Sequence, residues 1–127
     1  MQTKTLELLL QEANNEIKRL SFEESLSIIN ELNTIIIDVR EESEVNNSGM
    51  IKNAIHIPRG LLEFWLHPES SFIEQKEIDL DKEIVLFCAA GGRSALAAKT
   101  LKDMGFEKVS HVAGGYSLMK DSGFKTK

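Results

Sequence analysis

The sequence predicts a three-layer α/β fold built on a parallel sheet, and three observations predict it. Short apolar runs at Ile35-Ile36-Ile37, Ile55-His56-Ile57 and Ile84-Val85-Leu86-Phe87 are β-branched or aromatic and bounded by polar or turn residues, as buried strands are. A helically spaced segment, Ser94 to Met104, separates the last of these from a weaker strand-like stretch, Val109-Ser110-His111-Val112. The resulting order of strand, helix and strand is the crossover unit of parallel sheets. A chain of 127 residues, 42% hydrophobic, holds one core and is too short for two ordinary domains. Charges of mixed sign at 28%, with two prolines and eight glycines, argue against a disordered chain or a fibrous repeat.

From the N-terminus, Leu6, Leu9, Leu10, Ala13, Ile17 and Leu20 recur at three- and four-residue steps, the spacing of one apolar helix face. This helix is expected to pack on the domain; the alternative is an arm that pairs with another subunit. Ser21 followed by Glu24 has the spacing of a capping box, and Phe22, Leu26, Ile29 and Leu32 supply a second helix with its inward stripe. Further helices are expected near Glu41 to Val45, Gly60 to Leu66 and Gly115 to Lys120. Between Ser94 and Met104, the helical spacing lies in Ala95, Leu96, Ala98, Leu101 and Met104, and Gly105 is placed to stop the helix with a left-handed cap.

A formal charge of -5 leaves no basic face for a phosphate backbone, so nucleic acid is not an expected partner. No apolar run approaches a membrane span, and the first twenty residues interleave Glu7, Glu12 and Glu16 with Lys4, Lys18 and Arg19, unlike a secretion signal. The expected address is the cytoplasm. His56, His67 and His111 are scattered without a metal-ligand spacing; each is read as structural, and neither metal nor cofactor is expected. Trp65, Phe64, Leu61 and Leu62 form an apolar cluster read as core, with a docking rim for a protein acceptor as the alternative.

A single cysteine makes no internal disulfide, so Cys88 serves either packing or thiol chemistry. It directly follows the strand Ile84 to Phe87, and ligands of open parallel sheets bind beyond the carboxyl ends of strands. Ala89, Ala90, Gly91, Gly92 and Arg93 then lead into the helix near Ser94. Small side chains let the backbone curl with its amides exposed, and successive amides at a helix start form an anion cradle, which is expected to favour the thiolate. A buried strand-end cysteine is also an ordinary core residue, and a plain strand-to-helix turn needs glycine too. Two glycines in a row, Gly91 and Gly92, just after a cysteine favour the cradle.

These residues resemble the rhodanese homology domain over roughly Ile17 to Phe124. Ile35-Ile36-Ile37-Asp38-Val39-Arg40-Glu41 is similar to the family's first core strand and its Asp-Val-Arg signature, with Glu44 in the short helix that follows. The segment Gly49 to Pro58 resembles the family's Gly-His-Ile-x-Gly-Ala stretch ending in Ile-Pro, with Met50 in place of His and Asn53 in place of Gly. Cys88 to Ser94 matches the catalytic loop, Gly114-Gly115 matches the glycine pair after the last strand, and Met119 replaces a frequent Trp. The resemblance implies a mostly parallel five-stranded sheet with helices on both faces, spanning residues 17–127; the helix in residues 1–16, read from its apolar spacing, precedes it.

It also implies a sulfurtransferase in which Cys88 takes a sulfane sulfur from a donor, thiosulfate or a small persulfide, and passes it to cyanide, a thiol or a thioredoxin-like protein. Ala89, Ala90, Gly91, Gly92 and Arg93 would hold the substrate, with Arg93 anchoring the loop and attracting an anionic donor. Asp38 and Arg40 would stand beside the loop and order it. Arg59 is placed at the pocket mouth or, equally, in solvent. Ala89 and Ala90 bring no cationic side chain of the kind that thiosulfate-specialised members carry. Two rivals remain: a cysteine phosphatase or arsenate reductase, whose loops place five residues between Cys and Arg where this chain has Ala89 to Gly92, and a non-catalytic interaction module.

Overall fold

A computed structural model describes residues 2–29 and 31–121; residues 122–127, assigned above to the domain, lie outside them. Among the described residues, β1 (Lys18–Leu20), β2 (Thr34–Asp38), β3 (Ile55–His56), β4 (Glu83–Phe87) and β5 (Val109–Val112) form one sheet in the order β1-β5-β4-β2-β3, parallel throughout. Side-chain alternation explains the layers. Ile35 and Ile37 of β2 and Ile84 and Leu86 of β4 share a core with Ala97, Ala98 and Leu101, whereas Ile36, Val85 and Phe87 pack with Tyr116 and Met119 on the opposite face. Those residues belong to α6 (Gly92–Asp103) and α7 (Gly115–Met119), so the sheet is buried on both sides. Cys88 continues the parity of Ile84 and Leu86 and therefore falls on the α6 face.

The remaining helices are α1 (Leu6–Glu16), α2 (Phe22–Ile29), α3 (Glu42–Ser48), α4 (Leu62–Trp65) and α5 (Ser71–Gln75), with a 3-10 turn at Arg59–Leu61. The capping box is present: Ser21 N donates to Glu24 Oε1 at 3.1 Å and Glu24 N to Ser21 Oγ at 3.2 Å. The helix stop at Gly105 is present too, with Gly105 N bonded to Lys102 O at 3.0 Å and Phe106 N to Leu101 O at 3.1 Å.

Several expectations need correction. The apolar spacing from Leu6 to Leu20 predicts one helix, yet α1 ends at Glu16, and Lys18–Leu20 pairs with Ser110, His111 and Val112 as an edge strand. Ile17 and Leu20 are buried either way, so burial alone does not distinguish the two forms. Leu32 falls beyond the end of α2 and is 91% exposed rather than inward. The Trp65 cluster divides: Leu62 is buried and Trp65 stacks on Phe72 at 4.9 Å, but Phe64 is 73% exposed. Asn53, which stands where the resembling family has Gly, has φ +70°, a left-handed conformation that Asn tolerates best among residues with a Cβ.

Candidate active site

At the carboxyl ends of the adjacent strands β2 and β4, the chain enters a helix in each case. From β4 it enters α6; from β2 it enters α3, whose carboxyl end accepts the Tyr116 hydroxyl of α7 through Ser48 O at 2.5 Å. Ligands of open parallel sheets bind beyond such strand ends, and Cys88 stands directly after β4.

Cys88 is 1% exposed, but its sulfur does not face hydrocarbon alone. The Gly91 amide donates to Sγ at 3.0 Å, and the thiol donates to Ser94 Oγ at 3.6 Å. Gly91 is the N-cap of α6 with φ +112°, a conformation strained for any residue with a Cβ, and this turn aims its amide back at the sulfur. The Gly91 amide and the amino end of α6 thus both face the sulfur.

The loop is locked from outside. Tyr116 N donates to Cys88 O at 2.7 Å and Ser117 N to Ala89 O at 3.1 Å. In a trans peptide the N–H points opposite to the C=O, so these bonds turn the amides of Ala89 and Ala90 away from α7. This close approach explains Gly115, where a Cβ would collide with the Cys88 carbonyl oxygen and lie 2.8 Å from the Ala89 carbonyl. Ala89 is half-buried and Ala90 exposed, which leaves the rim of the loop small and open.

Arg93, at the first turn of α6, turns out of the loop. Its Nη1 and Nη2 donate to Glu44 Oε1 and Oε2 at 2.5 and 2.9 Å, joining α6 to α3. These hydrogen bonds hold the Glu44 carboxyl down at about 2 against a partial burial penalty, and they push Arg93 upward. Glu44 is thus a site residue that sequence reasoning named only as part of a motif; an acidic residue 49 positions from Arg93 carries no local signal of the pairing.

The buried pair Asp38 and Arg40, 0% and 2% exposed, does not reach Arg93 or the loop amides as predicted. Asp38 is consumed by Arg40: Arg40 Nε donates to both carboxylate oxygens at 3.0 Å and Nη2 to Oδ2 at 2.7 Å. Arg40 Nη2 also donates to Gly49 O at 2.7 Å, and its guanidinium lies 3.9 Å over the Tyr116 ring. The pair therefore supports the loop at one remove, by seating Tyr116, whose amide holds Cys88 O. Arg59 starts at the strand ends, its amide bonded to Val39 O at 3.0 Å, but its guanidinium is engaged elsewhere. It donates to Glu63 at 2.8 Å and to Thr100 Oγ1 at 3.0 Å, and Thr100 sits roughly 12 Å along α6 from Gly92 at 1.5 Å per residue.

Among the described residues, no group of three or more His, Cys, Asp and Glu could hold a metal ion, and no helix is long and apolar enough to cross a membrane. A cleft lined by His67, Leu80, Lys82, Phe106 and Lys108 lies at the other end of the sheet and shares no residue with the Cys88 loop.

With this geometry in view, residues 21–122 match the sequence model of the rhodanese-like domain. The candidate sulfurtransferase YtwF of Bacillus subtilis is 38% identical over 100 residues, 79% of this chain and 84% of that protein. A Rhodopseudomonas palustris structure, described as a protein of unknown function suggested to be a tyrosine phosphatase, superposes with a TM-score of 0.87 at 34% identity, covering 100% of this chain and 97% of its own. The human single-domain sulfurtransferase TSTD1 superposes with a TM-score of 0.70 at 25% identity, covering 82% of this chain and 96% of its own. The fold and the ordered motifs define a rhodanese-like domain, and the chain belongs to that family. Its relatives include sulfurtransferases.

Proposed function

We propose that this protein is a sulfurtransferase that carries a sulfane sulfur on Cys88 as a persulfide. The observation that carries the reading is the 3.0 Å hydrogen bond from the Gly91 amide to Cys88 Sγ at the start of α6, because it puts a donor where the charge of a thiolate must sit. In the first half-reaction the Cys88 thiolate attacks the outer sulfur of thiosulfate. The S–S bond breaks, sulfite leaves with the bonding pair, and Cys88 becomes a persulfide within the loop of residues 89–93. A small persulfide serves as donor in the same way, releasing its thiolate. In the second half-reaction cyanide or a thiolate attacks the terminal sulfur, and Cys88 leaves as a thiolate. A thioredoxin-like protein is the macromolecular acceptor suited to this second step, and the proposed setting is the cytoplasm.

Splitting the transfer in two predicts double-displacement kinetics. Initial rates with thiosulfate and cyanide should give parallel reciprocal plots, and Cys88→Ser should have no activity. Intersecting plots, with transfer retained in Cys88→Ser, would overturn the reading.

A cysteine phosphatase is the second reading, favoured by the description of the Rhodopseudomonas palustris structure. Against it stands the loop, with four residues, Ala89 to Gly92, between Cys88 and Arg93 where such enzymes have five. Cys88-dependent hydrolysis of an aryl phosphate would reverse the ranking. A purely non-catalytic module has no use for an amide aimed at a thiol.

A further inference from the structure

Neither the transfer steps nor the support of the loop gives the buried side chain of His111 a task. His111 of β5 is 1% exposed, and both ring nitrogens are engaged. Nδ1 lies 3.1 Å from Ser94 Oγ, and Nε2 lies 2.7 Å from Asn14 Oδ1. Ser94 Oγ is 3.6 Å from Cys88 Sγ and donates toward Gly91 O at 3.2 Å. A continuous hydrogen-bonded line thus runs from the reactive sulfur through α6 and β5 to α1. Its far end, Asn14, lies outside residues 21–122, the span that matches the family.

The placement of α1 makes the contact firm. Leu10 reaches the position a Cβ on Gly92 would face, at 4.0 Å, while Glu16 meets Lys99 at 3.5 Å and accepts from Lys102 through its carbonyl at 3.2 Å. The helix therefore runs parallel to α6 and holds Asn14 over His111.

Valence sets the proton positions. Asn14 Oδ1 only accepts, so His111 Nε2 donates to it. Burial, and the Arg19 charge beside it on β1, push His111 down to about 4, so the ring is neutral near pH 7 and Nδ1 carries a lone pair. Ser94 has one hydroxyl proton, and both acceptors that compete for it, Nδ1 and Gly91 O, lie away from the sulfur. Ser94 Oγ therefore shows lone pairs to Cys88, which suits a protonated thiol. Reversing the line suits a thiolate: an Asn14 amide turned over donates to Nε2, Nδ1–H donates to Ser94, and Ser94 donates to sulfur. Only a side chain that both donates and accepts completes the line in both directions.

We propose that Asn14 is a positioning residue for Cys88: acting through His111 and Ser94, the N-terminal helix sets where the Ser94 hydroxyl points and so how readily Cys88 reacts. The inference rests on Cys88 being the reacting thiol, and alkylation reads that thiol without any sulfur transfer.

The test compares iodoacetamide alkylation at pH 7 with the ¹⁵N signature of the His111 ring. Asn14→Asp supplies an acceptor with full charge, so His111 becomes doubly protonated and its Nδ1–H releases the Ser94 proton to sulfur. Alkylation should rise about tenfold, the scale of one hydrogen bond redirected to a charged acceptor. Asn14→Ala, the second variant should Asp fail to fold, frees the ring to exchange tautomers and should raise the rate by less. Ser94→Ala should abolish the gain in either background, whereas a gain caused merely by loosening α1 would survive it. Alkylation within twofold of wild type in a folded Asn14→Asp chain, or a gain that persists in Ser94→Ala, overturns the proposal. Absence of sulfur transfer alongside these shifts would fault the proposed function and spare the line.

Discussion

Arg93 and Glu44 form a two-pronged ion pair, at 2.5 and 2.9 Å, that ties the end of the cysteine loop to the helix following the neighbouring strand. The pair offsets a cation placed at the N-terminus of α6, where the helix dipole disfavours positive charge. Both side chains are about one-third exposed, so solvent screening limits the stability it contributes to about 1 kcal/mol. Its larger effect is on geometry. Glu44→Gln should lower the melting temperature by a few degrees. Sulfur transfer should fall by about 10- to 100-fold, because small displacements of a positioned loop are costly in rate. Steady-state rates beside thermal melts check this; a rate loss no larger than the stability loss would deny the pair its positioning role.

Acid should weaken the fold in two windows. His111, held at about 4 by burial and Arg19 against an ordinary 6.5, binds a proton more readily in the unfolded chain. Its contribution is fully present above pH 6.5 and disappears as the pH falls toward 4, a loss on the order of 3 kcal/mol. Glu44, held at about 2 mainly by its hydrogen bonds from Arg93, contributes fully above its ordinary 4.5 and loses its smaller share as the pH falls toward 2. Urea unfolding at a series of pH values reads both, and His111→Asn should flatten the slope between pH 6.5 and 4.

Gly115→Ala places a methyl group against the Cys88 and Ala89 carbonyls at a residue with φ +57°. Strain and overpacking together should destabilise the chain by roughly 3 kcal/mol. The loop should also shift, so that loss of alkylation at Cys88 accompanies the fall in melting temperature. Gly60→Ala, where the new Cβ meets nothing within 4 Å, is the control expected to change neither.

Removing one member of the buried Asp38 and Arg40 pair leaves the other charged in the core. Asp38→Ala should therefore cost about 3–5 kcal/mol. A double Asp38→Ala and Arg40→Met change should recover part of that stability but not full sulfur transfer, because Arg40 also seats Tyr116, whose amide bonds Cys88 O. Melting and activity assays on the single and double variants separate the two effects.

What the sequence reveals, and what it conceals, follows from the range of each interaction. Strand β4, the loop, α6 and the Gly105 stop are legible because strand composition, small loop residues and helical spacing are local patterns. The same holds for the capping box of Ser21 and Glu24. Edge strand β1 is illegible because three residues hold no periodicity, and Ile17 and Leu20 extend the helical spacing of α1 by coincidence. Helix α5 has only five residues and a weak signal, Ser70, whose hydroxyl accepts from Phe72 N. In the site, Cys88 and its glycines announce themselves, whereas the partners of Arg93 and His111 lie 49 and 97 positions away. Arginine and aspartate at the end of β2 suggest closeness to the loop, but nothing in the sequence says that Arg40 satisfies Asp38 before Arg93 can.

The central claim is that the sulfur of Cys88 accepts and keeps a second sulfur atom. Intact mass after incubation with thiosulfate and removal of excess donor tests it most directly. The account predicts a gain of one sulfur on the wild-type chain, discharged by cyanide and absent from Cys88→Ser; an unchanged wild-type mass, or an equal gain on Cys88→Ser, would contradict it.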